Sequence, residues 1–434
     1  MKEPKRSILT KEGVSYLLPF LLVTSCFALW GFANDITNPM VKAFSKIFRM
    51  SVTDGALVQV AFYGGYFAMA FPAAMFIRRY SYKAGILLGL GLYAAGAFLF
   101  YPAALTGSYY PFLAAYFILT CGLSFLETSS NPYILSMGPE ESATQRLNLA
   151  QSFNPMGSLL GMWVAMNFIQ ARLHPMDTAD RALLTDAEFA AVRDADIAVL
   201  ITPYLVIGAV ILAMLLVIRL TKMPKNGDRN HTIDLGPTLR RIFSVPRYRE
   251  GVVAQFFYVG VQIMCWTFII QYGTRIFMAE GLDEKAAEVL SQRYNIIAMV
   301  LFCVSRFVCT FLLRYVNAGR LLALLAVAGG LFTAGVIAFR DIRGIYCLVA
   351  VSGCMSLMFP TIYGIALKGM GDDAKFGAAG LIMAILGGSI LPPLQAAIID
   401  RGTLLGMPAV NLSFALPLLC FVVIALYGYR SIRR

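Results

Sequence analysis

The chain has 434 residues, of which 59% are hydrophobic and 14% charged, where a soluble domain carries about 25% charged residues. With a mean hydropathy of +0.70, those figures exclude disordered, collagen-like and small disulfide-framed chains. They also exclude a soluble fold of this size, because 36 Lys and Arg with 24 Asp and Glu cannot supply its polar surface. The net charge of +12 is read as membrane topology, since basic loops are the norm in multispanning proteins, and no nucleic-acid partner is expected.

A bilayer core of about 30 Å needs about 20 apolar residues per helix. Twelve such segments follow one another: 15–37, 56–78, 84–105, 109–134, 146–170, 197–220, 250–275, 287–313, 319–339, 344–367, 375–399 and 408–429. They are continuous rather than alternating, which argues against a transmembrane barrel. The first segment follows Lys2, Lys5, Arg6 and Lys11 as a secretory signal would. It is, however, longer than a signal core of 7–15 residues and lacks a small-residue cleavage site, so it is expected to be a retained helix. Lys and Arg concentrate on the side shared by both termini and the even-to-odd loops, for example Arg78, Arg79, Lys83, Arg240, Arg241, Arg433 and Arg434. Both termini are therefore expected in the cytoplasm.

Residues 222–249 form a long polar break with six spans on either side, so the sequence predicts a bundle over 1–221, a cytoplasmic linker over 222–249 and a second bundle over 250–434. A weak internal echo supports a repeat: Arg79-Tyr80-Ser81-Tyr82-Lys83-Ala84-Gly85 follows the second span and Arg314-Tyr315-Val316-Asn317-Ala318-Gly319-Arg320 the eighth. The eight cysteines all fall in apolar segments and form no C-x-x-C pair, and the two histidines, His174 and His231, lie in loops. A metal site or a Ser-His-Asp triad is hard to assemble from that set, so neither a cofactor nor an enzyme is expected.

Within the spans, polar residues are costly and need a reason. Two carboxylates stand out. Asp35 ends the run Leu29-Trp30-Gly31-Phe32-Ala33-Asn34, and Glu127 lies mid-span within Gly122-Leu123-Ser124-Phe125-Leu126-Glu127-Thr128-Ser129-Ser130-Asn131-Pro132. An acid that gains and loses a proton inside the membrane is what a proton-coupled carrier requires; the plainer alternative is a structural acid held by a neighbouring donor. Asn148, Gln151 and Asn154 recur every third residue of the fifth span, and Gln255, Tyr258, Gln262 and Trp266 at three- and four-residue intervals in the seventh. Each set lies on one helix face. Asn34 and Asn38 add to span 1, and Gln59, Tyr63 and Tyr66 to span 2. Amides offer donors and acceptors to sugar hydroxyls and aromatic rings stack on a pyranose, although interhelical hydrogen bonding accounts for many such residues.

These residues carry a resemblance. Leu29-Trp30 with Ala33-Asn34, Tyr63-Gly64-Gly65-Tyr66-Phe67, Leu126-Glu127-Thr128 with Asn131-Pro132, Arg146-Leu147-Asn148-Leu149-Ala150-Gln151-Ser152-Phe153-Asn154, Ala254-Gln255-Phe256 with Tyr258-Val259-Gly260, and Phe359-Pro360-Thr361-Ile362 resemble the fucose:proton symporter family of the major facilitator superfamily. The likeness runs through both halves. It implies an all-α membrane protein of twelve transmembrane helices in two six-helix bundles, working as a monomer in a bacterial inner membrane by alternating access. The implied partners are the bilayer, a sugar, L-fucose first, and a proton.

Glu127 matches the family's acid on the fourth helix. The family's acid on the first helix aligns with Asn38, while Asp35 lies three residues earlier on the same face; either Asp35 substitutes for it or coupling rests on Glu127 alone. Phe359 stands where the family has Tyr. The expected sugar-binding set is Asn38, Gln59, Tyr63, Asn131, Gln151, Asn154, Gln255, Tyr258, Gln262, Trp266 and Phe359, at mid-membrane between the halves. Another hexose (glucose, galactose or N-acetylglucosamine), sodium in place of the proton, and a sugar sensor without flux are the alternatives.

Overall fold

The structure, a computed structural model, describes residues 9–11, 14–37, 40–50, 57–176, 180–181, 183–224, 235–404 and 406–432. The described residues are overwhelmingly helical. In chain order the helices are α1 (Leu17–Thr37), α2 (Met40–Ile47), α3 (Leu57–Arg79), α4 (Tyr82–Leu105), α5 (Tyr110–Ser136), α6 (Ala143–Gln151), α7 (Phe153–Val164) and α8 (Asp186–Leu220). They continue with α9 (Leu235–Ser244), α10 (Pro246–Ala279), α11 (Glu284–Leu312), α12 (Ala318–Ala338), α13 (Ile342–Met355), α14 (Met358–Leu367), α15 (Ala374–Met383), α16 (Gly387–Ile399), α17 (Ala409–Ser413) and α18 (Ala415–Ile432).

Among the described residues, 11 helical stretches are long and apolar enough to cross a membrane. The remaining expected span, 146–170, is helical too, but it is broken at Ser152 into α6 and α7 and ends in a wider π turn over Ala165–Ile169. Neither piece reaches the length of a full crossing. The expected span 344–367 is likewise interrupted, between Met355 and Met358, and 375–399 carries a 3₁₀ turn at Ala384–Leu386. At the other extreme, α8 starts eleven residues before the expected 197, because Thr185 and Glu188 form a capping box that sets the helix start outside the apolar run.

Helix starts elsewhere follow side-chain acceptors. Ser81 accepts from the Ala84 amide at 3.0 Å, Asp283 from Ala286 at 3.2 Å, and Asn317 from Gly319 at 2.9 Å. Each side chain satisfies an amide that the first turn leaves without a partner.

The chain divides into two compact units. One comprises residues 15–133 and 153–233, the other residues 134–152 and 234–434 with the N-terminal 14 residues. In the first unit, α1 lies along α7 at very short range. A Cβ on Gly157 would overlap the Ala28 carbonyl, and one on Gly31 would overlap the carbonyl of Asn154. Glycine is required there because two backbones approach more closely than any side chain permits.

In the second unit, α10 runs through the centre of the core, with Ala254, Tyr258, Val261, Met264 and Tyr272 all fully buried. The short helix α6 belongs to this unit, where it packs against α11 and α14.

Candidate functional site

In the unit holding α1, α3, α5 and α7, the centre of the polar set is Glu127. Its residue is 5% exposed, and its Oε1 accepts a hydrogen bond from the Tyr66 hydroxyl at 3.3 Å. Tyr66 is itself held in place, because Ser124, one turn before Glu127 on α5, donates to the Tyr66 carbonyl at 3.1 Å. The second oxygen, Oε2, is buried without a hydrogen-bond partner among the described residues. Most buried polar atoms are paired, so an open carboxyl oxygen marks a position with capacity for a proton or a hydroxyl.

Asn131 is fully buried one turn further on and donates to the Glu127 carbonyl at 3.0 Å. Its amide thus helps to hold the α5 backbone around the acid. Asp35 and Tyr63 are half-buried and interact electrostatically. Asn154 is half-buried and donates to the Phe27 carbonyl at 3.2 Å, which ties the start of α7 to α1. Asn38, and the side chain of Gln59, lie outside the described residues.

The other members belong to the second unit. Gln255 is fully buried on α10, and neither of its amide atoms has a hydrogen-bond partner among the described residues. Tyr258, one turn on, donates its hydroxyl to the Met355 carbonyl at 3.2 Å. Trp266 donates through its indole N–H to the Ser352 hydroxyl at 3.2 Å and meets Phe302 edge-on at 5.0 Å. Two members of the α10 stripe are therefore engaged with α13, as interhelical hydrogen bonding would have it. Phe359 sits beside Tyr258, with ring centroids 6.1 Å apart, and Gln262 is half-buried. Gln151 is 5% exposed at the end of α6, and its carbonyl accepts from Arg306 Nη1 at 3.0 Å.

Arg306 was not among the expected site residues. It is 3% exposed on α11, and no carboxylate pairs with it among the described residues. A buried arginine in a spanning helix is costly, by about 2.5–3.5 kcal/mol at the span centre and less toward the ends, so its compensation needs identifying. Backbone carbonyls provide it: Nη1 bonds Gln151 and Nε bonds Ser356, while the guanidinium lies 4.5 Å over the Phe302 ring. The same device recurs at Arg146, which is fully buried and donates to the Ile134, Leu135 and Pro139 carbonyls at 2.9–3.2 Å, capping the C-terminal end of α5. A cation at helix C-terminal carbonyls meets the negative end of the helix dipole. Among the described residues, no cluster of three or more His, Cys, Asp or Glu side chains could hold a metal ion.

Comparison with known proteins assigns the fold. The Major Facilitator Superfamily profile matches residues 23–392. The L-fucose-proton symporter of Haemophilus influenzae is 52% identical over 423 residues, covering 96% of this chain and 97% of its own. The chain belongs to the fucose:proton symporter family of the Major Facilitator Superfamily. The L-fucose-proton symporter of Escherichia coli is 34% identical over 97% of this chain and 94% of its own. The crystal structure of that Escherichia coli symporter superposes with a TM-score of 0.86, covering 96% of this chain and 99% of the other. More distant is the glucose/galactose transporter of Brucella abortus, 29% identical over 96% of this chain and 95% of its own. This is thus a multi-pass membrane protein of the major facilitator fold, in a family of transporters rather than enzymes.

Proposed function

We propose that this protein is a proton-coupled L-fucose symporter of a bacterial inner membrane. The near end-to-end likeness to two L-fucose-proton symporters supports the substrate, and the open oxygen of buried Glu127 is the observation that carries the coupling. Both termini face the cytoplasm, and one chain is the working unit. Residues 1–221 and 250–434 form the two bundles that rock against one another, with 222–249 as the cytoplasmic linker. Sugar is held at mid-membrane by Asn38, Gln59, Tyr63, Asn131, Gln151, Asn154, Gln255, Gln262 and the aromatic groups Tyr258, Trp266 and Phe359.

The coupling logic follows from electrostatics. A bare carboxylate is expensive to enclose in a closing, water-poor bundle, whereas a carboxylic acid is not. Protonation at Glu127 Oε2 therefore licenses reorientation of the loaded carrier, with Tyr66 holding Oε1 in register. At 100 mV one proton supplies about 2.3 kcal/mol, enough for about a 50-fold sugar gradient. Asp35 either shares this role or leaves it to Glu127.

The test is uptake of labelled L-fucose, glucose, galactose and N-acetylglucosamine into proteoliposomes under an imposed proton gradient, with and without sodium. Preferential accumulation of L-fucose that collapses with a protonophore and ignores sodium is the expected result. Preference for glucose or galactose, which the 29% identical transporter makes the second reading, would move the substrate while keeping the mechanism.

A further inference from the structure

In an α-helix each carbonyl accepts from the amide four residues later. Pro155 stands four residues after Gln151, and Pro360 four after Ser356. Proline has no amide hydrogen, so both carbonyls lose their intrahelical donor. These are the two carbonyls that Arg306 serves: Nη1 donates to Gln151 at 3.0 Å, and Nε donates to Ser356. They also coincide with the two helix interruptions, α6 to α7 at Ser152 and α13 to α14 at Ser356. Each helix end presents roughly half a negative charge, so two of them together match one guanidinium.

We infer that Arg306 is a latch of the transport cycle, bridging two proline-vacated carbonyls so that α6 stays docked on α11 and α14 in this state. The surrounding contacts are of one kind. Gln145 donates to the Thr310 carbonyl at 3.3 Å, Asn148 to the Thr361 hydroxyl at 3.0 Å, and Gly364 leaves room for Thr144. All are neutral hydrogen bonds or van der Waals contacts. Arg306 adds a charge-assisted, two-point link, and its planar fork is what allows one side chain to serve two helices. The role in the cycle rests on the bundle assignment proposed above, under which α6 and α11 belong to different bundles and must part when the carrier reorients. Arg306 is a positioning residue here: it sets where Gln151 stands.

The test uses Thr144→Cys with Gly364→Cys, because a Cβ at 364 would lie 3.2 Å from the Thr144 Cβ, close to the disulfide range of about 3.5–4.5 Å. Formation of the 144–364 link in the full-length protein is followed by mass spectrometry of the linked peptide, which the native cysteines do not obscure. Arg306→Met loses both bonds, of which the one to Gln151 reaches α6, and should slow linkage about tenfold, the factor expected from losing that one charge-assisted hydrogen bond. Arg306→Lys, which keeps the charge but lacks the planar fork that spans both carbonyls, should fall between the two. Linkage at the parent rate in Arg306→Met overturns the latch; if that variant does not fold, linkage at the parent rate in Arg306→Lys does so.

Full linkage should stop sugar uptake, and reduction should restore it. Uptake that persists through full linkage overturns both the bundle assignment and the latch role in the cycle. Because linkage needs neither sugar nor proton, a failure of L-fucose uptake by the unaltered protein would sink the functional reading alone.

Discussion

The Tyr66 hydroxyl donates to Glu127 Oε1 at 3.3 Å, while Oε2 of the same carboxyl is buried without a hydrogen-bond partner among the described residues. One oxygen is thus held and the other is open, which is the asymmetry a proton-exchanging acid needs. Glu127→Gln keeps an acceptor toward Tyr66 and resembles the protonated form. We expect it to retain sugar binding and sugar exchange while uphill accumulation falls from about 50-fold at 100 mV to near unity. Accumulation at the parental level would refute the coupling role, and loss of sugar binding would recast Glu127 as a direct sugar ligand.

Asp35 separates two coupling schemes. If it has taken the place of the family's acid on the first helix, Asp35→Asn should repeat the Glu127→Gln pattern in the same accumulation and exchange assays. A variant that accumulates sugar within about twofold of the parent, a change of only about 0.4 kcal/mol, assigns coupling to Glu127 alone.

A buried ion pair fixes the segment before α8. Arg181 and Asp196 approach at 2.5 Å with side chains 0% and 3% exposed, and Asp196 also accepts from the His174 amide at 2.8 Å. Arg181→Met leaves Asp196 buried and unpaired, which should destabilise the protein by about 3–5 kcal/mol. The double variant Arg181→Met/Asp196→Leu removes both charges and should recover most of that loss. Thermal unfolding in detergent compares the two; a double variant as unstable as the single would show that the hydrogen bonds, rather than the charges, hold the segment.

Two glycines offer a contrast in packing. A Cβ on Gly157 would overlap the Ala28 carbonyl, whereas one on Gly64 would meet nothing within 4 Å. Gly157→Ala must push two backbones apart and should cost about 1–3 kcal/mol or more. Gly64→Ala should be neutral or stabilising, by up to about 0.5–1 kcal/mol from helix propensity. Thermal melts of the two single variants decide the matter, and equal effects would contradict the close approach of α1 and α7.

Much of this was legible in the sequence because the bilayer imposes a simple rule. An apolar run of about 20 residues has one low-energy fate in hydrocarbon, so the expected spans follow from hydropathy, and the two-bundle fold from their six-plus-six layout and the family resemblance. Glu127 was visible for the same reason, as a carboxylate in such a run needs explaining wherever it points.

What hydropathy does not register is where a span is interrupted: Ser356 sits in a run that remains apolar on either side, and the polar residues around Ser152 recur at the spacing of a continuous helix face. Pro155 and Pro360 were the available signal for two freed carbonyls, but nothing in the sequence says which donor serves them. That donor, Arg306, comes from a segment more than 150 residues away from Gln151 in the chain and only 50 from Ser356. The Tyr66–Glu127 and Arg181–Asp196 pairs were beyond the sequence for the same reason. Hydrogen bonds between helices depend on the rotation and depth of each helix about its axis, and only tertiary packing sets those.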